Sequence, residues 1–168
     1  MKILLISDTH GYMGTDIIDL LEGVDEVWHA GDIGPGTVIE DLEKHIKVRS
    51  VYGNIDDTAI RDKSPLNQIF VLEGLKFLMT HIGGYPGRYT ARVRALIQAE
   101  RPNVYICGHS HILKVMPDHK NNLLHLNPGA CGHYGFHKIR TVLRFEVSKG
   151  EIKHMEVVEL GKRGSINS

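Results

Sequence analysis

The chain has 168 residues, 42% of them hydrophobic and 24% charged, ordinary proportions for a soluble globule and enough for one core without staples. Lys+Arg and Asp+Glu balance at 20 each, which gives no footing for specific nucleic-acid or membrane binding. Two cysteines, Cys107 and Cys131, make no disulfide framework and suit a reducing compartment, and Met1-Lys2 leads into an apolar run too short for a signal or a span, so a cytoplasmic, single domain over residues 1–168 is expected.

Residues 2–6 form a short apolar run with β-branched side chains, the pattern of a buried strand. Residues 16–22 space Ile17, Ile18, Leu20 and Leu21 as an amphipathic helix. Residues 26–30 read as a second strand, stopped by Gly31-Asp32, and 36–45 as a second helix carrying Val38, Ile39 and Leu42. Residues 46–52 make a third strand, stopped by Gly53-Asn54. This β-α-β-α-β order predicts a parallel sheet with crossover helices. The rhythm then changes. Residues 67–72 and 75–80 are strands joined by a hairpin at Glu73-Gly74, 90–100 is a helix ended by Pro102, and 104–107 is a strand feeding Gly108. Four more strands are expected at 112–116, 123–126, 140–147 and 152–157, the last two joined by a turn at 148–151. Residues 161–168 look like a loose tail. Together these elements predict an α/β fold of four layers, αββα, with helices outside two mixed β-sheets.

The apolar runs close on a particular set of side chains. Ser7-Asp8-Thr9-His10-Gly11 ends the first, and Gly31-Asp32, Gly53-Asn54, Thr80-His81 and Gly108-His109-Ser110-His111 end the others. Asp8, His10, Asp32, Asn54, His81, His109 and His111 are all oxygen or imidazole donors. Each falls at the carboxyl end of an expected strand, where open α/β folds collect their ligands. Such a set could hold two metal ions around one water and cleave a phosphoester. Oxygen and nitrogen donors without thiolate suit Mn, Fe, Zn or Ni rather than Ca, and argue against a structural zinc. Gly31, Gly53 and Gly108 are expected to allow close backbone approach or a positive φ beside a ligand. A simpler reading makes Asp8, Asp32 and Asn54 caps, but caps do not call for four accompanying histidines.

Histidine is in excess, with 11 copies; His45, His119 and His154 read as filler. His29, two residues before Gly31, is either an orienting partner of a ligand or a satisfied core histidine. Asn127, in Asn127-Pro128-Gly129, is either part of the site floor or an ordinary turn residue. Arg88, His133, His137 and Arg140 either contact the substrate phosphate or its leaving group, or are solvated loop residues. Cys107 reads as buried and inert, and Phe77 and Met79 as core.

Taken in order over residues 2–158, these five motifs resemble the calcineurin-like metallophosphoesterase superfamily. Gly53-Asn54-Ile55-Asp56 and Asn127-Pro128-Gly129 are similar to its small YfcE-type phosphodiesterase branch. The resemblance implies that Asp8, His10, Asp32 and His111 hold one metal, and that Asp32, Asn54, His81 and His109 hold a second, with Asp32 bridging. It implies two divalent transition-metal ions, manganese first and nickel, zinc or iron as alternatives, roughly 3.5–4 Å apart, with a bridging hydroxide attacking a small phosphodiester. The chain departs from many members at Ile55, where they carry a histidine that protonates the leaving group; the usual general acid is missing here. The resemblance also carries an alternative: a non-catalytic, metal-binding interaction module on the same fold, like the retromer subunit. Such a module would be expected to lose one or more of the ligands, and this chain keeps all seven. A metal-dependent oxidoreductase fits poorly, since a 2-His-1-carboxylate site needs neither Asn nor a bridging Asp. A homo-oligomer is compatible with the sequence.

Overall fold

The computed structural model describes residues 1–164. Its strands are β1 (Lys2–Ile6), β2 (Glu26–His29), β3 (Lys47–Ser50), β4 (Asn67–Leu72), β5 (Leu75–Thr80), β6 (Val104–Ile106), β7 (Leu113–Asp118), β8 (Leu123–Pro128), β9 (Ile139–Ser148) and β10 (Glu151–Lys162). The helices are α1 (Thr15–Ile18), α2 (Val38–Glu43), α3 (Thr58–Lys63) and α4 (Ala91–Glu100). One sheet runs β10-β9-β1-β2-β3 and the other β4-β5-β6-β8-β7. In the first, β1, β2 and β3 are parallel and β9 pairs antiparallel with β1. In the second, β5, β6 and β8 are parallel and the two edge strands antiparallel. Both sheets are therefore mixed.

Alternation along β1 sets the layers, because successive side chains in a strand face opposite ways. Ile3 and Leu5 join Trp28, Phe77, Met79, Ile106, Leu126 and Phe145 in a buried cluster between the sheets. Leu4 and Ile6 face outward and pack with Ile17 of α1 and with Val38, Ile39 and Leu42 of α2. On the far face of the second sheet, Leu78 and Tyr105 pack under Val93 and Ile97 of α4. The order is helix, sheet, sheet, helix, the four layers expected. Trp28 anchors the middle: its ring meets Phe70, Phe77 and Phe145 edge to face, and its indole N–H donates to Glu26 at 3.0 Å.

Several boundaries differ from expectation for local reasons. The helix expected at 16–22 is one α-helical turn followed by a 3₁₀ turn, Asp19–Leu21. The helix expected at 36–45 contracts to α2, because Gly36 has φ +102° and cannot be helical. The sequence reading missed α3, which Asp57 caps by accepting from the Ile60 N–H at 3.1 Å. The tail expected from 161 does not start there. Gly161 and Lys162 belong to β10, where Lys162 pairs with Ile139 after two register shifts that hid the strand's alternation; residues 165–168 lie outside the described residues. Among the described residues no helix is long and apolar enough to cross a membrane.

Candidate metal centre

The parallel strands of both sheets deliver the expected ligands to one edge of the sandwich. Asp8 and His10 follow β1, Asp32 follows β2 and Asn54 follows β3, while His81 follows β5 and His109 and His111 follow β6. Six of them form two groups: Asp8, His10 and His111 in one, Asp32, His81 and His109 in the other. Within each group the donor atoms lie within 4.8 Å of one another. The groups adjoin. Asp32 Oδ1 is 3.2 Å from His81 Nε2, while its Oδ2 is 3.8 Å from His10 Nε2. His111 Nε2 is 3.0 Å from Asp8 Oδ1. Asn54, the seventh, is exposed on the loop after β3 and shares a cavity lining with His81.

The hydrogen bonds divide each donor into a held side and a free side. Asp8 Oδ2 accepts from the His109 N–H at 3.2 Å and from the Ser7 hydroxyl, which ties the two sheets together at the site. Asp8 Oδ1 is buried with no hydrogen-bond partner. His81 Nδ1 donates to the Ala30 carbonyl at 2.7 Å, so its Nε2 points into the site, again without an aligned partner. His10 Nε2 is likewise buried and unpartnered. His137 Nε2 donates to the Gly132 carbonyl at 2.9 Å, which leaves its Nδ1 to accept from His111 Nδ1 at 3.1 Å. His111 then offers its bare Nε2 toward Asp8.

Buried polar groups are ordinarily paired. Here three unpaired atoms, Asp8 Oδ1, His10 Nε2 and His81 Nε2, converge on one place, and all are metal donors. The donor set and the orphaned atoms both fit divalent cations. The electrostatics are those of a cation-binding cluster. Burial lowers the pKa of His10 and of His109. For His81 burial also pulls downward, but the Asp32 contact and the Asp8 charge outweigh it and hold the ring above the ordinary histidine range. For Asp32 burial pulls upward and is outweighed by His81 and by the Ile55 N–H, so the carboxylate is held low.

The glycines behave as close-approach positions. A Cβ on Gly53 would lie 2.1 Å from Asp32 Oδ1, and one on Gly108 2.1 Å from Ser7 Oγ. Only Gly31 adds a positive φ, +97°.

His29 is buried and bonded at both ends. Its Nδ1 accepts from the Gly31 N–H at 3.1 Å and its Nε2 donates to Thr9 Oγ1 at 2.8 Å. It pins the loop carrying Asp8 and His10 to the loop carrying Asp32, and burial drives its pKa down to about 3. Asn127 is also a scaffold: its amide donates to the Gly108 carbonyl at 3.0 Å and to Ser110 Oγ at 3.1 Å, shaping the His109–His111 turn from below. Arg140 is buried, with Nη2 2.6 Å from Asp16 and Nε on the Cys131 carbonyl, so it holds the fold and is withdrawn from any phosphate. His133 bonds the Arg163 carbonyl and packs on Tyr12. Arg88 is exposed on the turn after β5. Of these four candidates only His137 reaches the centre, through His111.

Sequence reasoning gave no role to Asp56. It is buried, and its carboxylate accepts from the N–H groups of Gly53, Ile33 and Gly34, which locks the Asn54 loop to the Asp32 loop. Its position three residues past Gly53 was the available signal. Cys107 and Cys131 are buried thiols held near pKa 12 by burial, and neither joins the centre.

Comparison with known proteins gives consistent relatives. The family model described as the calcineurin-like phosphoesterase superfamily domain matches residues 1–150. A Methanothermobacter thermautotrophicus protein named a probable metallophosphoesterase is 28% identical over 137 residues, 77% of each chain. Among solved structures, an archaeal phosphodiesterase superposes with TM-score 0.70 at 24% identity, covering 95% of this chain and 100% of that one. Vps29 from Entamoeba histolytica, solved with Zn²⁺, superposes with TM-score 0.72 at 18% identity over 95% and 99% of the two chains.

Proposed function

This chain belongs to the calcineurin-like phosphoesterase superfamily, and from that premise we propose that it is a dinuclear metal-dependent phosphodiesterase acting on small diesters. The observation that carries the reading is the convergence of Asp8 Oδ1, His10 Nε2 and His81 Nε2, buried and unpartnered, between two Asp/His groups. Asp8, His10 and His111 would hold one cation, and His81, His109 and Asn54 the other. Asp32, with one oxygen toward each group, is the residue to touch both. Manganese is the first expectation, and the oxygen and imidazole donors also admit nickel, zinc or iron. When bound, such a pair of cations lowers the pKa of a water and offsets charge on the phosphoryl oxygens.

The chain's own residues then decide which leaving groups depart. Ile55 is half-exposed and only its backbone N–H is engaged, at 3.1 Å from Asp32 Oδ1. No side chain at that position can hand a proton to the departing oxygen. General acid catalysis is typically worth about 10²–10⁴-fold, so aryl diesters, whose leaving groups are weakly basic, should be cleaved far faster than alkyl esters.

The test is a series of diesters and monoesters of graded leaving-group pKa, assayed with Mn²⁺, Ni²⁺, Zn²⁺ and Mg²⁺ on wild type and Ile55→His. A steep dependence in wild type, flattened in the variant, supports the reading. A flat wild-type dependence means another group supplies the proton, and the account of Ile55 fails. No hydrolysis with any metal would overturn the enzyme reading in favour of a metal-binding interaction module.

A further inference from the structure

Two cavities adjoin the second donor group, one at His109 and the other at His81 and Asn54. The rings of His81 and His109 meet edge to face with centroids 5.2 Å apart. His109 lines a cavity of about 170 Å³. His81 and Asn54 line another of about 370 Å³. Ile82 lines both and forms the ridge between them.

The smaller cavity is walled by Ile82, Tyr85 and Ile112, with buried His125 behind them. Its lining is mainly apolar, although His125 Nδ1 is buried there without a hydrogen-bond partner. The Asn127 amide is bonded to Gly108 and Ser110. Lys114 Nζ stands 3.9 Å over the Tyr85 ring, with no ion-pair partner among the described residues. The larger cavity is walled by Tyr52, Leu66 and Ile82. Its one cation, Arg92, is already spent on Asn67 Oδ1, Thr80 Oγ1 and the Ile82 carbonyl. Both are apolar hollows beside a centre that is otherwise all charge. A dry cavity of about 150 Å³ is enough to take up benzene, so the smaller one admits a single six-membered ring and the larger one a bulkier group.

We infer that these hollows are the two substituent seats of a phosphodiester whose phosphate lies on the Asp32–His81–His109 group. The inference rests on the phosphodiesterase reading and narrows it. A phosphate monoester would leave one hollow filled only with water, and a dimethyl ester would leave both. The substrate class the seats select is a diester with a single-ring aryl or heteroaryl group on the His109 side and a larger apolar group on the Asn54 side. Lys114 supplies one donor for an oxygen carried by the smaller ring.

Non-cleavable phosphinates test this by binding, independent of turnover. Mn²⁺-loaded protein is titrated calorimetrically with dimethylphosphinate, benzyl(methyl)phosphinate and dibenzylphosphinate, in which P–C bonds stand in place of the ester P–O bonds. Each benzyl group should tighten binding about tenfold, the order expected for burying part of a ring. Ile112→Trp fills the smaller seat and Leu66→Trp the larger. Each should erase one ring's gain, read as a ratio of affinities within that variant, and the double variant should erase both. If a variant does not fold, the wild-type series alone decides. Equal affinity for all three phosphinates, alongside metal-dependent diester hydrolysis, would overturn the seats and leave the phosphodiesterase reading standing. No phosphinate binding and no hydrolysis by Mn²⁺-loaded protein would overturn both.

Discussion

Replacing His137 by alanine should loosen the centre at His111 alone. The chain Gly132 carbonyl, His137, His111 fixes which nitrogen of His111 carries its proton, through contacts of 2.9 and 3.1 Å. With Nδ1–H engaged, Nε2 is bare and lies 3.0 Å from Asp8 Oδ1. A free imidazole prefers neither orientation so firmly, and loss of such outer partners typically costs about 10–100-fold in metal affinity. His111 is only partly buried, so water can replace His137 at Nδ1. The loss should fall near the low end, about tenfold, for one ion and not the other. His137→Gln, whose amide oxygen can accept from Nδ1–H, should recover most of it. Calorimetric titration of metal-free protein with Mn²⁺ gives the two affinities, and two-bond ¹H–¹⁵N spectra read the His111 tautomer without metal. A His137→Ala protein with both affinities and the tautomer unchanged would refute the reasoning.

Asp32→Ala should lose both ions and His10→Ala chiefly one, read as metal per chain after dialysis; full occupancy in Asp32→Ala would count against a shared ligand. Gly108→Ala should destabilise by about 1–3 kcal/mol and weaken metal binding, since its Cβ would meet Ser7 Oγ at 2.1 Å and Asp8 Oδ2 at 2.9 Å; wild-type values for both would show that the loops have room to give. Metal-free protein should lose stability as pH falls below the unfolded-histidine value near 6.5, because burial holds His29 at about 3 and His125 at about 4. Between those values the unfolded chain binds protons that the folded chain refuses, at up to about 1.4 kcal/mol per pH unit for each ring. His81, raised in the fold, works the other way: its contribution is full below 6.5 and fades as pH rises through its folded value. Urea melts in chelator from pH 7.5 to 4.5 check the balance, and a flat profile would mean that the two buried rings do not dominate.

Much of this was legible because strand ends and ligands coincide. A run such as Ile3 to Ile6 announces its strand, and the residue after a buried strand in a parallel sheet has one edge of the sheet to stand on. So Asp8, Asp32, His81 and His109 could be placed together without coordinates. Scaffold contacts were less legible. Asn127 and Arg140 are polar residues near motifs, and nothing in spacing says that one faces the underside of the His109 turn while the other crosses to Asp16. His137 and His133 sit four residues apart in one loop, yet only His137 meets His111. These are tertiary choices made by loop conformation, where hydrophobic period is silent. β10 was shortened in the reading for a related reason: register shifts break the alternation on which a strand is recognised.

The backbone at the centre shows how a handful of loops can preset so many donors. Asp8, His10, Asp32, His109 and His111 all have positive φ, between +49° and +67°, and they are half of the ten non-glycine residues that do among the described residues. Several others mark ordinary reversals, Glu73 and Lys149 before hairpin glycines and Arg101 at the end of α4. Left-handed backbone costs a non-glycine residue on the order of 1–2 kcal/mol, although Asp and His tolerate it better than most. Five such residues therefore need opposing contacts. The Asp8, His10 and Gly132 N–H groups bond the carbonyls of Gly31, Asp32 and Asp8 at 2.9, 3.1 and 3.1 Å, and His29, Asp56 and Asn127 brace the same turns. A left-handed residue reverses the chain within one step, which lets Asp8 and His10 aim at one point from a single strand end, and lets His109 and His111 serve the two adjoining donor groups from another. The same bracing leaves Asp8 Oδ1, His10 Nε2 and His81 Nε2 without protein partners. Folding thus sets the donor geometry in advance, and the affinity lost to those unpaired atoms is what a cation would restore.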